Sequence, residues 1–283
     1  MMVRTEAMTL VQRLARRVVG QDDAWRAIVP YIEQHQAELA PAGRPAGIFL
    51  LLGPTGTGKT SSVEALAEEL HGARGQLVRI NCAEFQSDHE IAKLIGAPPG
   101  YVGHRDTDPF ITQQTLSDAT SAHCDLSLVL FDELEKAASS LAPLLLGICD
   151  QAILRLGDGT TVDFSKSLIF LTSNLGAREM LNALAPRLGF EAGPSAQAPP
   201  DLQRIGLAAV RARFSPEFVN RLDAVITYKP LDGPALDLIL SHQLEGLRQH
   251  VSDRLGARVR HRSDGRRASL SARRWNEQRV RCP

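Results

Sequence analysis

Apolar and polar residues recur along this chain with changing periods, and the changes mark its elements. Near the N-terminus, Leu10, Leu14 and Val18 fall on one face of a helical repeat, so MMVRTEAMTLVQRLARRVV reads as an amphipathic helix. Ile48 to Leu52 are apolar without interruption, the mark of a strand buried on both faces of a parallel sheet. GPTGTGKT then breaks the pattern, after which Val63, Leu66, Ala67 and Leu70 recur at helical spacing. A second apolar run, in LSLVLFDELEKA, ends on Asp132 and Glu133. A third, in SLIFLTSN, ends on Thr172, Ser173 and Asn174. Farther on, GPALDLILSHQLEGLRQHVSDRL reads as a helix. The pattern predicts an α/β fold with a parallel sheet and helices on both faces.

The break after the first strand carries chemistry. Strand, GxxxxGK[ST] and helix, in that order, form the context a P-loop requires. Gly53, Gly56 and Gly58 let the backbone curl until its N–H groups point at phosphate oxygens, and the helix N-terminus adds partial positive charge there. Lys59 can reach the β- and γ-phosphates, and the Thr60 hydroxyl can ligate Mg²⁺. The nucleotide-binding set is therefore Gly53, Pro54, Thr55, Gly56, Thr57, Gly58, Lys59 and Thr60, with ATP and Mg²⁺ as cofactors. Asp132 falls at the carboxyl end of a strand beside the P-loop, where it can hold Mg²⁺ through water. Glu133, one residue on, can polarise a water toward the γ-phosphate as general base. Asn174 ends its strand where open α/β sheets bind ligands. It either bonds the attacking water or the γ-phosphate, or caps the helix that follows.

Composition narrows the classes. The 283 residues are 43% hydrophobic, enough for one sizeable domain and a smaller one. Lys plus Arg and Asp plus Glu are each 32, so overall charge argues for neither nucleic acid nor a membrane surface. No run of about 18 apolar residues exists to span a bilayer, and the N-terminal segment has no signal-peptide core. Cys82, Cys124, Cys149 and Cys282 form no CxxC pair, which suits free thiols in a reducing cytoplasm. The eight histidines show no metal-ligand spacing.

The blocks RRVVGQDDAW, GPTGTGKT, LIGAPPGYVG, LVLFDELEKA, TVDFSKSLIFLTSNLG and FSPEFVNRLDAVITYKPL occur in the order of a known family. The chain resembles the Clp unfoldase and disaggregase family of AAA+ ATPases, specifically the second ATPase module of its two-module members, over roughly Leu14 to Leu240. The resemblance implies that Asn174 is the sensor-1 residue and that Arg221 is an arginine finger reaching a neighbour's γ-phosphate. A planar, always-charged guanidinium suits that task. It also implies a homo-hexameric ring, because each site then needs a neighbour. Val18 and Val19 fall where the family packs adenine, although valines there also suit an ordinary core.

The loop GAPPGYVG resembles the family's pore loop. Gly100, Tyr101 and Val102 would face the channel, with Tyr101 gripping an extended polypeptide by aromatic contact rather than by reading its sequence. Leu188–Gly189–Phe190 has the shape of a tripeptide that docks a Clp peptidase in some relatives, or serves as a hydrophobic anchor for its loop. The expected division is a nucleotide-binding domain over 1–230, with N-terminal helices in 6–39, and a partial helical lid over 231–283 with a basic tail from about 252. Gly256–Ala257–Arg258 spells a sensor-2 motif but follows the first lid helix too soon to serve as one. The function so implied is ATP-driven polypeptide unfolding. The alternative is a regulatory subunit that binds nucleotide, hydrolyses it weakly or not at all, and joins a complete Clp ATPase. A DNA-acting motor rests only on the basic tail, and the aromatic loop argues against it.

Overall fold

The computed structural model describes residues 8–96, 109–184 and 200–255. In chain order, the N-terminal part runs through α1 (Leu10–Arg17), α2 (Asp22–Gln36), β1 (Gly47–Leu52), α3 (Lys59–His71), β2 (Val78–Asn81), α4 (Asp88–Ile95) and α5 (Gln113–Asp118). The middle adds β3 (Ser127–Asp132), α6 (Leu141–Gln151), a small hairpin of β4 (Ile153–Arg155) and β5 (Thr161–Asp163), β6 (Ser167–Ser173) and α7 (Ala177–Leu184). Then come α8 (Leu202–Arg213), α9 (Pro216–Val219), β7 (Ala224–Thr227) and α10 (Gly233–Leu255).

Local chemistry sets several boundaries. Thr9 and Gln12 close a reciprocal capping box at the start of α1, and Ser87 and Glu90 do the same for α4. Gly72, in the left-handed conformation, ends α3.

Five parallel strands form the main sheet in the order β2-β3-β6-β1-β7. β1 is flanked on both sides, which explains its unbroken apolar sequence. Its side chains alternate between two cores. Ile48, Leu50 and Leu52 pack with residues of α4, α6 and α8, such as Ile91, Leu145 and Val210. Phe49 and Leu51 pack with α1, α2 and α3, through Leu14, Trp25, Ile28 and Leu66. The parallel sheet with helices on both faces is therefore the architecture observed. β3 is not paired with β1, because β6 lies between them. The carboxyl ends of β1, β6 and β3 are consequently consecutive; β3 ends on Asp132, and Gly53 and Asn174 directly follow β1 and β6.

The chain divides into two compact units, 1–232 and 233–283. The described part of the second is α10, which carries exposed Leu236, Leu240, Leu244 and Leu247 along its length. Among the described residues, no helix is long and apolar enough to cross a membrane.

Candidate nucleotide site

The glycine loop begins where β1 ends, and its first glycine has no substitute. Gly53 has φ +145°, and a Cβ there would lie 2.6 Å from the carbonyl oxygen of Tyr228. The backbone after β7 is held at that distance, since Tyr228 N donates to Leu52 O at 2.7 Å. Thr57 Oγ1 closes the loop onto Pro54 O at 2.9 Å. Gln21, buried just before α2, fastens the loop from outside. Its Nε2 donates to Thr57 O at 3.1 Å and to Lys229 O at 2.9 Å, and its Oε1 accepts from Lys229 N at 3.2 Å. Gly58, with φ +97°, turns the chain into α3, with Val18 Cγ1 3.4 Å from where its Cβ would stand.

Lys59 opens α3, and its ammonium is already aimed at the loop. Nζ donates to Gly53 O at 2.7 Å, Pro54 O at 3.0 Å and Asn174 Oδ1 at 2.8 Å. Burial pushes its pKa below the usual lysine value, while Glu135, then Asp132 and Glu133, favour the charged form. The next residue, Thr60, donates Oγ1 to Asp132, 3.2 Å from Oδ1 and 3.3 Å from Oδ2. Asp132 Oδ1 also accepts from Thr172 Oγ1, and Arg79 Nη2 donates to Oδ2 at 2.7 Å.

Glu133 sits in the left-handed region, with φ +58°. A glutamate held there is uncommon, and such backbone conformations cluster at functional sites. Glu133 N donates to Thr172 Oγ1 at 3.0 Å, which fixes the turn. Its carboxylate accepts from Lys136 Nζ at 2.7 Å, and that pairing raises the lysine's pKa.

These groups border one cavity of about 710 Å³, lined by Thr55, Gly56, Gly58, Lys59, Thr60, Asp132, Glu133 and Asn174 among others. Glycine N–H groups, a lysine and a helix N-terminus suit a polyphosphate. The Thr60 hydroxyl and Asp132 carboxylate are adjacent hard oxygen donors. Mg²⁺ takes few protein ligands of that kind beside phosphate and water, so the residues present fit it.

Other predicted residues lie elsewhere. Arg221 is not on the cavity. It follows α9, is half exposed, and pairs with Asp150 on α6. Asp223, its nearest acidic neighbour in sequence, is held instead by Arg44 at 2.9 Å and by Ile48 N at 2.9 Å. Val18 is buried against the P-loop and Val19 is half-buried. Gly100, Tyr101, Val102, Leu188–Gly189–Phe190 and Gly256–Ala257–Arg258 fall outside the described residues.

Sequence reasoning passed over three contributors, Gln21, Arg79 and Glu135. Glu135 was within sight, two residues past Glu133 in the same block. Gln21 lies in the block RRVVGQDDAW, but only the fold brings it to the loop, and Arg79 reaches Asp132 with no local signal at all.

Fold and site together define a P-loop nucleotide-binding domain, with its polar residues at the ends of adjacent parallel strands. The family model "AAA domain (Cdc48 subfamily)" matches residues 44–225. The chain is 38% identical over 251 residues to the chaperone protein ClpB of Meiothermus ruber, covering 89% of this chain and 28% of that protein. It is 35% identical to chloroplastic ClpB2 of Oryza sativa subsp. japonica, covering 89% of this chain and 24% of that one. Among solved structures it resembles Hsp104 in a closed state with ATPγS and FITC casein, at TM-score 0.71 and 28% identity, over 84% of this chain and 38% of that one. Hsp104 of S. cerevisiae in an extended complex with casein matches at TM-score 0.70 and 30% identity. The chain belongs to the AAA domain family of the Cdc48 subfamily, as a Clp-type AAA+ ATPase domain. It spans about a quarter of the length of these curated relatives.

Proposed function

We propose that this chain binds and hydrolyses ATP and that, in a ring of such subunits, turnover drives the unfolding of polypeptide. The observation that carries the reading is convergence. Lys59 and Thr60, at the start of α3, and Asp132, Glu133 and Asn174, at the ends of β3 and β6, meet at one cavity. Loop N–H groups and Lys59 hold the phosphates, and Val18 and Val19 offer an apolar wall for the base. Thr60 and Asp132 hold Mg²⁺, which when bound neutralises charge on the phosphates. Glu133 takes a proton from the attacking water, and Asn174 orients that water or the γ-phosphate. Arg221 serves the neighbouring subunit. Its absence from its own chain's cavity and its half-exposed side chain support that role.

The polypeptide substrate would pass the loop bearing Gly100, Tyr101 and Val102. The relatives' chaperone names and the complex of Hsp104 with casein favour protein as the substrate class. The Glu133→Gln variant tests the chemistry. It should bind ATP as the parent does and turn over roughly 10²-fold more slowly or worse. Turnover within about twofold of the parent would remove Glu133 as the base. A parent chain that binds ATP without hydrolysing it would instead favour a regulatory subunit.

A further inference from the structure

The hydrogen bonds around Asn174 lead to a residue that phosphate binding alone does not call for. The Asn174 amide is held from two sides. Lys59 Nζ donates to its Oδ1 at 2.8 Å. Its Nδ2 and its backbone N both donate to Glu135 Oε1, each at 3.2 Å. An ammonium can only donate and a carboxylate can only accept. The two partners therefore admit a single orientation of the amide. Turned over, it would set NH₂ against the ammonium and its oxygen against the carboxylate. One amide hydrogen thus goes to Glu135, and the other is available to a group inside the cavity that Asn174 lines.

Glu135 has two further features. Its second oxygen, Oε2, is buried without a hydrogen-bond partner among the described residues. Such an arrangement costs free energy, and in a native protein it calls for a reason. The carboxylate is also the foremost of the three acidic groups that oppose the loss of charge on buried Lys59. Asp132 and Glu133 share that effect on Lys59, whereas the Asn174 amide N–H is given to Glu135, a side chain that does not itself line the cavity.

We propose that Glu135 is a positioning residue for the terminal phosphate, fixing the Asn174 amide so that its second hydrogen meets the γ-phosphoryl group. The inference rests on the cavity's being a nucleotide site. Its consequence is specific. ADP lacks the γ-phosphoryl group, so losing Glu135 weakens triphosphate binding and leaves diphosphate binding nearly intact.

The experiment measures displacement of a fluorescent ADP analogue by ADP and by ATPγS, on the parent chain, Glu135→Ala and Glu135→Gln. No turnover is needed. Glutamine keeps an acceptor oxygen in place, so Glu135→Gln should hold the parent's ATPγS-to-ADP preference. Glu135→Ala should lose about fivefold of that preference, the worth of one ordinary hydrogen bond, with ADP affinity within about twofold of the parent. An unchanged preference in Glu135→Ala overturns the proposal. Equal weakening of both nucleotides overturns it as well, since that marks a general structural role. So does a Glu135→Gln variant as impaired as the alanine. A parent chain that binds neither nucleotide would refute the nucleotide site itself, an outcome distinct from these.

Discussion

At the scale of single residues, the site is governed by constraints that few side chains satisfy. Gly53 must pass within 2.6 Å, measured at the Cβ position, of the Tyr228 carbonyl while holding φ +145°. Gly53→Ala should therefore destabilise the chain by roughly 1–3 kcal/mol and weaken ATP binding, both measurable by thermal denaturation with and without nucleotide. A variant with the parent's melting temperature would mean the loop has room that the geometry denies. Lys59 presents a different balance, since burial disfavours its charge and three carboxylates oppose that effect. Lys59→Ala removes the ammonium that bridges Gly53 O, Pro54 O and Asn174 Oδ1, and should abolish detectable nucleotide binding by calorimetry. Binding within about threefold of the parent would take Lys59 out of the phosphate site.

At the scale of elements, the sheet explains what the sequence disclosed and what it withheld. The uninterrupted run Ile48–Leu52 announced a strand covered on both sides, and β1 shows why, with alternate residues in two separate cores. Leu50→Ala should cost about 2–5 kcal/mol in denaturant unfolding, because Leu50 is fully buried in an inner strand of the sheet. The helix expected at GPALDLILSHQLEGLRQHVSDRL is α10. The glycine loop, Asp132, Glu133 and Asn174 were legible because each ends an apolar run, a signal local to the sequence. Strand order was not legible, since nothing local says that β6 enters between β1 and β3. The roles of Gln21, Arg79 and Glu135 depend on that order or on contacts distant in sequence. The segment GAPPGYVG, proposed to grip polypeptide, belongs to this scale too. Tyr101→Ala should leave ATP turnover within about twofold and abolish unfolding of a folded reporter protein. Persistent unfolding would deny the loop its grip.

At the scale of the whole molecule, Arg221 stands apart from the residues that meet at the cavity. Arg221 pairs with Asp150 at the surface of its own chain, away from the cavity. In the proposed ring it would complete the next subunit's site, which would make catalysis a property of the assembly. Arg221→Ala and Glu133→Gln should each be inactive for opposite reasons, the first lacking a donor to its neighbour and the second a base of its own. The decisive measurement is ATP hydrolysis by an equimolar mixture of the two variants. Where an Arg221→Ala subunit keeps its Glu133 beside a Glu133→Gln subunit that keeps its Arg221, a complete site re-forms. Random assembly should restore roughly a quarter of the parent's turnover. A mixture as silent as its components, under conditions in which the parent hydrolyses ATP, would contradict a site shared between subunits.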